Sequence, residues 1–294
     1  MTLVITTLIG GLGNQLFQYA AGRALANRAG VPLKLDVSGF ESYALRRYEL
    51  GTLPIAASLA TPDDLAPFGP TAAGQSRLRR LLVGAVASRQ AAATYTEPHF
   101  HYDPGFETLA APVRLNGYWQ SERYFGRLRP QLLAELTPVS PLEPANLETA
   151  RAIDGAMAVS VHVRRGDYVS NSTTNAFHGT CSPDYYRAAT AAIAARVGAP
   201  HFFVFSDDQA WAQANITLDG PTTYVSANPP DRGFRDMQLM SRCQHHVIAN
   251  SSFSWWGAWL NPSPDKIVVA PQRWFAADTN DTRSEERRVG KECA

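Results

Sequence analysis

Residues 160–169 read SVHVRRGDYV, so that His162, Arg164, Arg165 and Asp167 follow directly on an apolar run. A guanidinium is costly to bury unless an anion meets it. Two adjacent arginines at the end of a strand that reads as buried therefore ask for an anionic partner. Strand alternation from Val161 would turn His162 and Arg164 to one side and Val163 and Arg165 to the other. Arg164 is then expected to face the ligand, and Arg165 to pair with a carboxylate inside the fold. Asp167, beside two cations that stabilise its charged form, is better suited to orienting an arginine than to acting as a general base.

Three further stretches carry chemistry-bearing residues. GGLGNQL, from Gly10 to Leu16, places Gly11 and Gly13 in a turn, with the Asn14 and Gln15 amides suited to a bound sugar or phosphate. Its Gly-x-Gly, with Asp36 at the end of the next strand, also resembles the start of a dinucleotide fingerprint, which gives an NAD-dependent oxidoreductase as a rival reading. Leu16 stands where that fingerprint needs a small third residue, so the match is weak. In HHVIANSSFSWWGAWLN, residues 245–261, an apolar strand runs into a serine-rich turn and a helix for which Ser254 could be the N-cap. Backbone N–H groups at that start, around Ser252, Phe253, Ser254 and Trp255, would favour an anion, while the tryptophans read as core packing. FVFSDD, residues 203–208, ends a buried strand in Asp207 and Asp208, where a carboxylate could accept paired hydrogen bonds from a guanine edge or merely cap a helix.

These sites must be positioned by regular elements. A β-rich run over Leu3–Ile9, a helix over 14–28 and a strand over 31–36 predict a β-α-β opening, hence a parallel sheet with helices on both faces. A basic helix near 76–86, a strand near 113–118 and a helix near 122–136 follow. The segment TPVSPLEP, residues 137–144, reads as an interdomain linker. Beyond it come strands over 158–163, 201–205, 246–249 and 266–269, with helices over 182–197 and 234–243 and another from 254. The expected architecture is α/β, with two Rossmann-like domains, residues 1–140 and 141–282. Residues 283–293, RSEERRVGKEC, translate a common sequencing-adapter string in frame, so 283–294 are read as non-native.

Composition excludes several classes. With 294 residues and a net charge of +1, there is length for two ordinary domains and no global pull toward nucleic acid. No basic leader precedes the first apolar run, and no stretch approaches a membrane span, so a cytoplasmic protein without stable membrane insertion is expected. Cys181 and Cys243 have no framework spacing. No Asp-x-Asp triplet is present to hold a metal against a nucleotide sugar, and His178, Cys181, Cys243, His245 and His246 fit no standard zinc spacing. No metal or other cofactor is expected.

Together, GGLGNQLFQYAAGRALA, LNGYWQSERYF, HVRRGDY, HGTCSPDYY, FVFSDD and CQHHVIANSSFSWWGAWLN resemble, in this order, the bacterial α-1,2-fucosyltransferases. The resemblance implies GT-B architecture, with two Rossmann-like domains facing a central cleft. The C-terminal domain would bind GDP-β-L-fucose and the N-terminal one would offer the acceptor surface. It implies an inverting, metal-independent transfer of L-fucose to the 2-hydroxyl of a terminal β-galactoside, in surface glycan or O-antigen synthesis. The enzyme would be cytoplasmic or peripheral at the inner membrane face. His162 and Arg164 would contact nucleotide and β-phosphate, and Asp207, with Asp208 in reserve, would read guanine. Residues 252–256 would supply phosphate donors, and the Gly11–Gln15 loop, Asn14 above all, would close on the donor. Asp167, Asp36, Glu41 and Glu122 are the visible options for the base. A non-catalytic GDP or glycan binder on the same fold is the alternative within this family.

Overall fold

The computed structural model describes residues 2–41, 46–69, 92–166, 176, 179–276 and 292–293. Asp167, His178 and the expected basic helix over 76–86 lie outside the described residues. Two compact units divide after Arg129: Met1–Gly51 with Ile55–Arg129, and Thr52–Pro54 with Pro130–Ala294.

The first unit is a parallel sheet of β1 (Val4–Thr7), β2 (Leu33–Asp36), β3 (Ser58–Leu59), β4 (Ala93–Thr96) and β5 (Val113–Asn116), in the order β3-β2-β1-β5-β4. β1 is central and every one of its residues is buried, which is why it reads as an unbroken apolar and β-branched run. The 18-residue helix α1 (Leu12–Ala29) follows it. Gly22 lets α1 lie close on the sheet, since a Cβ there would sit 2.0 Å from Thr6 Oγ1 and 2.9 Å from Leu33 Cδ1. A four-residue helix α2 (Pro62–Leu65) is closed by a capping box between Thr61 and Asp64.

In the second unit, β6 (Ala158–Val163), β7 (His201–Ser206), β8 (Thr222–Val225), β9 (His245–Val247) and β10 (Val268–Ala270) form a second parallel sheet in the order β10-β9-β6-β7-β8. The two-residue strand β11 (Glu292–Cys293) extends its β10 edge; it is the described part of the segment expected to be non-native. The helices are α3 (Arg129–Glu135), α4 (Pro144–Asp154), α5 (Pro183–Val197), α6 (Gln209–Asn215), α7 (Gly233–Arg242) and α8 (Ser252–Trp259). β6 is buried on both faces. Val159, Val161 and Val163 meet Tyr186, Ile193, Phe202 and Val204 on one side. Ala158 joins Phe203, Phe205, Leu239 and Met240 on the other.

Several expectations shift. The single helix over 122–136 is instead two 3-10 turns, Glu122–Tyr124 and Gly126–Leu128, followed by α3. Gly126 and Pro130 interrupt the pattern there, the one by chain freedom and the other by its missing N–H. The proline-rich linker runs straight into α4, with Pro144 at its first position, where a proline is preorganised for a helix. β4 and β8 were not expected; both lie away from the sheet centres, and their partly exposed residues leave no apolar signature. Among the described residues no helix is long and apolar enough to cross a membrane.

Candidate active site

Parallel pairing puts β6 and β7 in phase from Ala158↔His201 to Val163↔Ser206. The next residues along each strand are then Arg164 beside Asp207 and Arg165 beside Asp208, at the carboxyl edge where ligands bind in open α/β sheets. Arg164 Nη1 lies 2.8 Å from Asp207 Oδ2. Arg165 N donates to Asp207 Oδ1 at 2.8 Å, while its Nε is 3.5 Å from Asp208 Oδ2. The Arg165 guanidinium also sits 3.7 Å above the Trp211 ring, a cation–π contact. The strand ends at Val163, so alternation does not carry on to the arginines, and both meet carboxylates from the end of β7. Arg165 pairs with a carboxylate as its position suggested; Arg164, expected to face an anion, has one already in Asp207. Asp208 Oδ1 accepts from Trp211 N at 3.1 Å and caps α6.

His162 is 4% exposed, and its ring lies 5.3 Å from that of Phe253 in the first turn of α8. Among the described residues its Nδ1 has no hydrogen-bond partner. Burial pushes its pKa down to about 4, with Asp207 opposing and Arg164 reinforcing the shift, so the imidazole is neutral near pH 7 and can act there as a hydrogen-bonding group rather than a charge. β6 is flanked by β9 on one side and β7 on the other, so the loops after β6 and β9 meet at the point where strand order reverses.

The cap of α8 is Ser251, not Ser254. Ser254 is fully buried, its hydroxyl donating to Ala249 O at 3.1 Å and Ser251 O at 3.0 Å. The Trp255 N–H closes the helical bond to Ser251 O, and its indole stacks within the Trp255, Trp256 and Trp259 cluster. Trp255 is thus a packing residue. Ser252 opens the helix, and the first-turn N–H groups of Phe253 and Ser254 point out of its N-terminal end.

In the first unit, Gly10 takes the left-handed φ of +77°, and Gly11 is the extended N-cap of α1. The turn's demand for glycine therefore falls on Gly10, with Gly13 buried inside the helix. Gln15 is fully buried, and its amide is occupied: Nε2 donates to Gly10 O and Arg47 O, and Oε1 accepts from Glu49 N. It braces the loop and is not placed to contact a ligand. Asn14 Oδ1 accepts from Gln120 Nε2 at 2.6 Å. Asp36 is buried against Arg114 and accepts from Ser38 N and Oγ. It cannot serve as the ribose-binding acid of the oxidoreductase reading, nor as an accessible base.

The sequence matches glycosyl transferase family 11 over residues 107–290. It is 33% identical over 280 residues to an alpha-1,2-colitosyltransferase of Escherichia coli, covering 94% of this chain and 93% of that protein. The chain belongs to glycosyl transferase family 11. The O-antigen biosynthesis glycosyltransferase WbnK of Escherichia coli is also 33% identical, over 92% of this chain and 94% of its own length. The galactoside 2-alpha-L-fucosyltransferase Sec1 of Mus musculus is 31% identical across 60% of this chain and 48% of its own. In fold, the chain is similar to an Arabidopsis thaliana FUT1 variant in complex with GDP, at 12% identity and a TM-score of 0.51, covering 94% of this chain and 72% of that one. This family 11 glycosyltransferase thus has the two-unit, GT-B-like α/β fold that its motifs implied.

Two carboxylates of the family 11 chain escaped the motif reading. Glu49 accepts a hydrogen bond from the Leu12 backbone at the start of α1; burial raises its pKa, against Arg46 and Arg47. Asp236, on α7, accepts from Asn228 Nδ2 at 2.7 Å, and burial pushes it up to about 6. Each lies beside arginines in the sequence, Glu49 after Arg46 and Arg47 and Asp236 after Arg235, but only the fold surrounds them with protein. His246 is the counterpart on the bland side. Asn261 Oδ1 accepts from Ser263 N, so Asn261 Nδ2 must donate to His246 Nε2 at 2.9 Å, leaving Nδ1–H to donate to Ser160 Oγ at 2.7 Å. That histidine is a neutral, fully bonded core residue, as its spacing suggested.

Proposed function

We propose that this family 11 enzyme is an inverting α-1,2-fucosyltransferase, moving L-fucose from GDP-β-L-fucose to the 2-hydroxyl of a terminal β-galactoside. The observation that carries the reading is the convergence of Arg164, Asp207 and neutral His162 with the first turn of α8 at the strand-order reversal of the second unit. Residues 141–282 would bind the nucleotide and residues 1–140 the acceptor. The transition state of such a transfer resembles an oxocarbenium ion, with charge growing on the departing diphosphate. Arg164 and the α8 N–H groups would stabilise that charge, a type of contribution worth about 3 to 4 kcal/mol per well-placed donor. Each Asp207 oxygen has a second lone pair, so this carboxylate can hold the arginine loop and still accept from guanine. No metal is needed in this scheme. A cytoplasmic site of action suits the nucleotide-sugar donor.

Incubation with GDP-fucose and lactose in the presence of EDTA, with product linkage read by NMR, tests the proposal. A 2-linked α-fucosyl product is expected. GDP binding without turnover on any galactoside would favour the non-catalytic binder. Transfer from GDP-colitose with GDP-fucose inert would reassign the sugar.

A further inference from the structure

Asn14 lies in the first turn of α1, and its amide is held from two sides. Gln120, only 7% exposed, donates from Nε2 to Asn14 Oδ1 at 2.6 Å. On the other side, Asn14 Nδ2 packs over Gly10, where a Cβ would come within 2.5 Å of it. An asparagine amide has an acceptor end and a donor end, and the hydrogen bond from Gln120 selects one of its two orientations.

The turn that carries Gln120 is built unusually. Trp119, fully buried, has φ +55°, the one left-handed non-glycine backbone among the described residues. For a bulky side chain that conformation costs on the order of 1–2 kcal/mol and persists only where surroundings enforce it. Here they do. The Glu97 carboxylate accepts from Tyr118 N at 2.7 Å and from Trp119 N at 3.1 Å. Ser121 N donates to Trp119 O at 2.8 Å. The indole packs among Tyr95, Phe106 and Tyr124. Gln18, one helical turn beyond Asn14, donates to Gly117 O at 3.1 Å and accepts from Ile9 N at 3.0 Å. One face of α1 thus joins the loop after β1 to the loop after β5. These are neighbouring strands, and the order of the sheet reverses between them.

We infer that Gln120 is a positioning residue for Asn14, turning the Asn14 amide so that its NH2 end is presented to an oxygen of the bound substrate. The inference rests on the proposed substrate-facing role of Asn14 and adds what sets its polarity. Core packing alone would not need a strained residue immediately before a buried amide aimed at the α1 turn. Replacing the donor with an acceptor should invert the arrangement: a carboxylate at position 120 accepts from Asn14 Nδ2, so the Asn14 carbonyl would face the substrate oxygen.

A double-mutant cycle over N14A and Q120E, measured as kcat and KM with GDP-fucose and lactose, tests this. Both single variants are expected to lower kcat about tenfold or more, the size of one misplaced hydrogen bond, while GDP affinity stays unchanged. The double variant should be no slower than N14A. If Q120E fails to fold, Q120M, which has similar length and no donor, replaces it in the cycle. Losses that multiply in full, or a normal rate for Q120E beside an impaired N14A, overturn the inference. A normal rate for N14A removes the role of Asn14 itself and the inference with it, while leaving the GDP site of the second unit untouched.

Discussion

The Arg164 guanidinium lies 2.8 Å from the Asp207 carboxylate, and the register of β6 on β7 places it there. Gly166 makes the pairing possible, because a Cβ at that position would sit 2.4 Å from Asp207 Oδ2. The carboxylate is the movable partner, so Gly166→Ala should displace it at little cost to the fold. We expect G166A to weaken GDP binding about tenfold, as one charge-assisted contact is lost, with a melting temperature close to that of the parent. R164A should lose more than R164K, since a lysine keeps the charge without the planar fork. Calorimetric titration with GDP measures all three, and unaltered affinity in G166A would remove the link between Asp207 and the nucleotide.

Acid should destabilise the fold through its buried imidazoles. Burial lowers the pKa of His162 to about 4 and that of His246 to about 3, Lys266 adding to the latter. Below an unfolded value near 6.5, the unfolded chain binds protons that the folded one refuses. Stability due to these groups is therefore complete above pH 6.5 and falls as pH drops toward 4, by about 1 kcal/mol per pH unit for each histidine. In urea melts from pH 7.5 to 4.5, H246Q should show a shallower loss than the parent. Parallel curves would mean that His246 is not neutral in the fold.

Asp236 works in the opposite sense. Burial raises it to about 6, offset by the hydrogen bond from Asn228, so the folded chain keeps a proton that the unfolded chain releases above about pH 4. Its contribution to stability is greatest at low pH and is lost as pH rises through 6. Asp236→Asn should therefore raise the melting temperature more at pH 7.5 than at pH 4.5. An equal gain at both values would point to packing rather than ionisation.

Close approach of α1 to its sheet gives a prediction on stability alone. Gly22→Ala would drive a methyl group into Thr6 Oγ1 and Leu33 Cδ1, on the buried side of the helix. Overpacking of this kind costs about 1–3 kcal/mol, more than the gain in helix propensity from replacing glycine. Chemical denaturation should show G22A less stable, and a neutral result would mean that α1 can lift away from β1.

What the sequence determined by itself was the central strands of both sheets, the helices α1, α5 and α7, and the chemistry at their ends. Short, largely apolar and β-branched or aromatic runs such as Ala158–Val163 and His201–Ser206 read as strands buried on both faces, with charged residues following at their ends. His162, Arg164, Arg165, Asp207 and Asp208 were legible for that reason, as was the glycine loop before α1. Short edge strands such as β4 were not, because half-exposed positions carry no periodic signal. Tertiary structure alone decided the partners. Which arginine meets which aspartate depends on the register of two strands separated by some forty residues of chain. That Gln15 and Asp36 are bonded inward, while Asn14 is held by Gln120, depends on which loops the sheet order brings together. The burial that moves His162, Glu49 and Asp236 from their ordinary pKa values arises likewise from residues distant in sequence, because desolvation belongs to a place in the fold and not to a residue type.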